Sequence, residues 1–150
     1  MELQERLLSD QQAAMRSRDE LRRETLRMLR TALHNEEIAR RGPLDEAATQ
    51  EIMQREVRKR QEALELFRQG KRPDLVAKAE GEIAIISSYM PAQLSEQEVE
   101  RLATEAIGEA GAGDPRQMGQ VMKLLMPRVK GRADGKAVSE IVRRLLTPGT

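Results

Sequence analysis

Apolar residues recur along this chain at three- and four-residue intervals, and strict alternation is almost absent, so the pattern predicts helices and an all-α fold. A first helix is expected from about Leu3 to Met15, with Leu3, Leu7, Gln11, Ala14 and Met15 roughly in line. Ser17-Arg-Asp-Glu20 then has the form of a capping box, in which the serine oxygen accepts from an orphan amide and the glutamate reaches back. The second helix continues to about Ala39 and buries Leu21, Met28, Leu29, Ala32 and Leu33. Gly42-Pro43 ends it, because proline disfavours helix in the residue before it, and Asp45-Glu-Ala opens a third helix with acid in its first turn. Met53, Val57, Leu64 and Phe67 form the third helix's apolar stripe. Beside that stripe Arg55, Arg58, Lys59 and Arg60 make a basic cluster, read as exposed charge on a long helix. Gly70 to Pro73 breaks the chain, and a fourth helix from about Asp74 to Tyr89 carries Leu75, Ala79, Ile83 and Ile86.

Tyr89-Met-Pro-Ala-Gln-Leu-Ser95 reads as a boundary, since proline stops the fourth helix and Ser95-Glu-Gln-Glu98 is a second capping box. The expected organisation is a helical N-terminal domain of about four helices over 1–92 and a small three-helix domain over 93–150. The first of the three helices spans about Glu96 to Ala110 and buries Val99, Leu102, Ala106 and Ile107. Asp114 is expected to cap the next, with Pro115 at its first position and Met118, Val121, Met122 and Leu125 inward. The last runs from Gly135 to about Leu146 and carries Val138, Ile141, Val142 and Leu145.

Composition narrows the function classes. The formal net charge is +1, so a nucleic-acid role has to come from local clustering. Such clustering exists in the second domain. From Ser95 to Pro115 only Arg101 opposes Glu96, Glu98, Glu100, Glu105, Glu109 and Asp114; from Arg116 to Arg144 basic residues dominate, with only Asp134 and Glu140 against them. The chain has 0 cysteines, which removes disulfides and thiolate chemistry and fits a reducing compartment. The opening residues mix charges of both signs, unlike a secretory signal, and no segment has the apolar length of a membrane span. These features lead to the expectation of a soluble cytoplasmic protein with no membrane partner.

The densest basic stretch surrounds Gly131-Arg-Ala-Asp-Gly135-Lys136. It fails as a Walker loop: it has one residue too few, Ala137 stands where a hydroxyl is needed, and no strand precedes it. Structurally, Gly131 turns the chain and Asp134 caps the last helix. Functionally, Gly131 would let the backbone approach a phosphate while Lys130, Arg132 and Lys136 supply positive field. With Phe67 and Tyr89 the only aromatics, base stacking has little to work with, so any RNA contact should be to the backbone of a structured RNA.

Gly119 to Lys136, Tyr89-Met-Pro-Ala-Gln-Leu-Ser95 and Thr25 to Ile38 together resemble the YqeY family over nearly the whole chain. The C-terminal part is also similar to the tail domain of GatB, a subunit of the amidotransferase that converts misacylated Glu-tRNA or Asp-tRNA. That resemblance implies a tail that engages tRNA through positions corresponding to Lys123, Arg128, Lys130, Arg132 and Lys136, to which Gly131 is added as the point of backbone approach. It also implies a family-level label of carbon–nitrogen ligase with glutamine as amide donor. The residues themselves give no catalytic set. His34 is the lone histidine, no serine has an activating neighbour, and Glu36-Glu37 point to different parts of a helix surface. No catalytic residue, metal or cofactor is therefore assigned, and the chain is not expected to be an enzyme by itself. The expected function is a non-catalytic module that binds tRNA or associates with a tRNA enzyme. The partners are tRNA and subunits of amidotransferase or aminoacyl-tRNA synthetase. The alternatives are a protein-interaction module without RNA contact and the ligase activity itself.

Overall fold

The helical spacing resolves into seven α-helices in a computed structural model that describes residues 2–148, with no strand among the described residues. They are α1 (Leu3–Ser17), α2 (Glu20–Arg40), α3 (Glu46–Gln69), α4 (Pro73–Ser87), α5 (Glu96–Ala110), α6 (Met118–Val129) and α7 (Gly135–Leu146). A single 3-10 turn, Pro115–Gln117, precedes α6. The chain is all-α and divides into two compact units, Met1–Pro91 and Ala92–Thr150.

In the first unit α1 packs on α2 and α3 on α4, while α4 also lies against α2. Leu7, Leu26, Leu29, Leu33, Ile52, Met53, Ile86 and Tyr89 form its core. Each large aliphatic side chain buried there contributes roughly 1.5–3 kcal/mol. Gly81 sits where α4 meets α2: a Cβ at that position would fall 2.7 Å from Leu21 Cδ2, so the close approach uses the missing side chain. Met28, expected inside, is 42% exposed.

Two local expectations are corrected. Ser17 is the last residue of α1 and its hydroxyl donates back to the Ala14 carbonyl at 3.3 Å, so it does not cap α2. Asp19 takes that role, its carboxylate accepting from the Arg22 amide at 3.1 Å. The basic cluster on α3 is not uniformly solvated either. Arg60 is buried, donating at 3.2 Å to Glu56 on its own helix and at 2.8 Å to Glu82 on α4. A guanidinium inside a bundle needs that much compensation, because removing it from water unpaired costs several kcal/mol, on the order of 3–5.

Candidate nucleic-acid interface

The second unit is built from α5, α6 and α7. Val99, Ala103 and Ala106 meet Val121, Leu125 and Val129 and, from α7, Val138, Ile141, Val142 and Leu146. Leu146 takes the inward place expected of Leu145, which is 39% exposed. Both lie in the arc set by Val138, Ile141 and Val142, so periodicity alone does not choose between them. Ser95 caps α5 as its sequence predicts: its oxygen accepts from the Glu98 amide at 3.1 Å and its hydroxyl donates to the Glu98 carboxylate. Asp114 accepts from the Arg116 amide at 2.8 Å and starts the 3-10 turn. The Arg116 side chain, with that amide, holds the Asp114 carboxyl below its ordinary value.

Gly131 follows α6 with φ +78, the left-handed conformation that favours glycine, and lets the chain reverse toward α7. What the corner holds is a piece of backbone. The Leu94 amide donates to the Arg132 carbonyl at 2.8 Å, the Gln93 side chain donates to the Gly131 carbonyl at 3.0 Å, and Arg132 Nε donates to the Ala92 carbonyl at 3.2 Å. Residues 92–94 are thus buckled onto the turn before α5 begins. Asp134 stands at the N-cap of α7 but makes no side-chain cap hydrogen bond, which corrects the expectation that its carboxylate takes the first amides.

The six expected contact residues fall into two groups. Arg128 pairs with Glu109 of α5, which raises its pKa. Arg132 is committed to the 92–94 segment, and Gly131 is a turn. Lys123, Lys130 and Lys136 are exposed and form no ion pair among the described residues. Lys123 lies on α6, and Lys130 is the residue that leaves it, at φ −58 and ψ 129. Arg143, which sequence reasoning did not single out, lies two helical turns on from Lys136 along one stripe of α7 and is likewise exposed without an ion pair. Arg144, by contrast, is engaged by Glu100 and, at 4.0 Å, by Glu96. The acidic helix therefore neutralises arginines of the basic part, and the uncompensated charge is mostly lysine. Exposed Leu124, at 37%, and Leu145 lie next in sequence to Lys123 and Arg144. Elsewhere, His34 is exposed, and no group of three or more His, Cys, Asp or Glu able to hold a metal occurs among the described residues.

A family model described as Yqey-like protein matches residues 4–146. A protein of Pyrenophora tritici-repentis named "Altered inheritance of mitochondria protein 41, mitochondrial" is 28% identical over 145 residues, covering 94% of this chain and 79% of that protein. The protein of the same name from Lachancea thermotolerans is 34% identical over 113 residues, 73% of this chain and 60% of its own length. That from Saccharomyces cerevisiae is 35% identical over 85 residues, 56% of this chain and 46% of its own length. The chain thus spans between about half and four-fifths of the relatives it matches. Their names call these relatives mitochondrial, and the expectation of a cytoplasmic protein is corrected by that finding.

Proposed function

From the premise that the chain belongs to the Yqey-like protein family, we propose that it is a non-catalytic module whose second unit contacts the phosphate backbone of a structured RNA of the tRNA class. The observation that carries this reading is the set of exposed cations, Lys123, Lys130, Lys136 and Arg143, left without ion pairs among the described residues. Lysines serve as point charges toward phosphate, and their number sets how steeply affinity falls with salt. The similarity of Gly119 to Lys136 to the GatB tail supports the choice of tRNA over RNA in general. Association with amidotransferase or synthetase subunits would follow from shared tRNA. Catalysis belongs to those partners on this reading.

The test is binding of total tRNA to purified protein across a salt series. Three or four phosphate contacts predict a slope of log affinity against log salt of about −2 to −4. Reversal of Lys123, Lys130 and Lys136 to Glu should abolish binding while leaving helicity unchanged, because none of the three supports the fold. Absence of binding at low salt, or binding indifferent to the triple reversal, rejects the proposal. A second reading, a protein-interaction surface, is favoured by Leu124 and Leu145 standing exposed beside those charges. Copurification of a protein that survives nuclease treatment and is lost on Leu124→Ser with Leu145→Ser would select it. Glutamine- and ATP-dependent conversion of Glu-tRNA by the isolated chain would instead make it a carbon–nitrogen ligase.

A further inference from the structure

Helix α5 carries Glu96, Glu98, Glu100, Glu105 and Glu109, and these acids are not used alike. Glu98 accepts from the Ser95 hydroxyl and Glu105 from Arg101, so both are satisfied within the helix and its cap. Glu109 and Glu100 reach across to other helices. Glu109 pairs with Arg128 of α6, and Glu100, with Glu96 at 4.0 Å, engages Arg144 of α7. The two pairs lie in solvent, their four side chains 34–53% exposed. Exposed pairs contribute little to stability, because water screens them and two long side chains have to be held still. Val99, Ala103 and Ala106 attach α5 to the core without them. What the pairs change is the charge on offer. A guanidinium binds phosphate through a fork of parallel hydrogen bonds that an ammonium cannot reproduce, and α5 engages two such groups. Arg144 also follows Arg143 on α7, beside the stripe that Arg143 shares with Lys136.

We propose that α5 is a built-in competitor for RNA phosphate: Glu109 and Glu100 occupy Arg128 and Arg144, and a phosphodiester backbone recruits either arginine only by displacing a carboxylate. The inference rests on the RNA reading of the second unit and adds to it the residues that set how tightly the RNA is held. Carboxylate and phosphate oxygens seek the same guanidinium donors, so each pair formed in the free protein lowers RNA affinity by what the pair itself is worth. For an exposed pair that is a factor of up to about five. Lys123, Lys130, Lys136 and Arg143 make the first contacts, and the two arginines are held in reserve.

The experiment is binding of total tRNA, at about 0.1 M salt where the screening length is about 10 Å, to the full chain carrying Glu100→Gln, Glu109→Gln or both. Each substitution is also made beside its own arginine, as Glu100→Gln with Arg144→Ala and Glu109→Gln with Arg128→Ala. Alone, each should tighten binding by about two- to fivefold, and together by roughly the product of the two factors. Beside the missing arginine the gain should fall below about 1.5-fold, because the acid has no guanidinium to release and only screened repulsion is left. Unchanged circular dichroism and melting temperature establish that the variants are folded. A gain that persists equally without the arginine would mean that the acid merely repels RNA, and overturns the proposal. Unchanged affinity in the Gln variants overturns it too, while leaving the RNA reading intact if reversal of Lys123, Lys130 and Lys136 still abolishes binding. If neither wild type nor the double Gln variant binds tRNA even at low salt, the RNA reading fails and the competitor with it.

Discussion

Arg60 and Tyr89 show how single polar side chains tie the first unit together. Arg60 joins α3 to α4 through Glu56 and Glu82, so its removal leaves two carboxylates without their main cation. Arg60→Ala is therefore expected to cost about 3–5 kcal/mol in urea denaturation, while replacing Arg60, Glu56 and Glu82 together by apolar residues of similar size should recover most of the loss. Recovery would mean that the cost is the stranded charge and not the lost volume. Tyr89 follows α4 and donates to the Asp10 carboxylate of α1, while Arg22 of α2 donates to its oxygen at 3.0 Å. Arg6 lies 5.3 Å from the ring centre. Burial first, and then the bond to Asp10, push the Tyr89 hydroxyl up to about 12. With an unfolded value near 10, the native state holds the proton that the unfolded chain gives up, so this stability is full below about pH 10 and is lost as pH rises toward 12. The two-unit gap is worth on the order of 2 kcal/mol. Wild type should consequently lose more stability than Tyr89→Phe between about pH 9.5 and about pH 11.5, the difference between the two chains isolating this group from the lysines. Equal losses would place the alkaline instability elsewhere.

Helix ends are where element-level chemistry is most exposed to test. α1, α2 and the α3–α4 connection turn through left-handed residues that are not glycine: Arg18 at φ +60, Arg41 at φ +58 and Lys71 at φ +53. An L side chain pays roughly 1–2 kcal/mol there, part of which glycine regains after its larger loss of chain entropy. Arg18→Gly and Arg41→Gly should each stabilise the first unit by about 0.5–1 kcal/mol in thermal denaturation, provided the exposed guanidinium makes no stronger contact. These turns also mark the limit of what sequence could supply. The bounds of α5 and α7 were legible because Ser95, Gly111 and Gly135 punctuate them with residues of strong positional preference. The end of α1 was not, since Ser17 looked like a cap and Arg18 carries no turn signal; the true cap, Asp19, lies two residues on. At the candidate interface the basic character was legible, but its division was not. Arg128 and Arg132 looked equivalent to Lys123, Lys130 and Lys136 until Glu109 and the Ala92 carbonyl were found against them. Those contacts join residues 19 and 40 positions apart, a separation that local pattern does not report.

At the scale of the whole molecule, each unit has its own core: one cluster draws on Leu7 to Tyr89, the other on Val99 to Leu146, and no residue belongs to both. A fragment 92–150 should accordingly fold alone, with helical circular dichroism and one cooperative transition. Its margin is small, because a domain of about 60 residues buries only about 60% of its unfolded surface. That narrowness makes the 92–94 buckle measurable. The segment adds no helix, yet through Ala92, Gln93 and Leu94 it satisfies the Gly131 and Arg132 carbonyls, the Leu94 amide and one guanidinium donor. Three hydrogen bonds at a net of about 1 kcal/mol each predict that a fragment 95–150 is less stable than 92–150 by about 2–3 kcal/mol, with the partly buried Leu94 adding to the loss. Urea denaturation of the two fragments decides the point. Equal midpoints would reduce the basic corner to a turn with decorative contacts. A large difference would establish that Gly131 and Arg132 serve the fold, leaving Lys123, Lys130 and Lys136 as the positions at which charge can be reversed to test RNA binding without unfolding the unit that carries them.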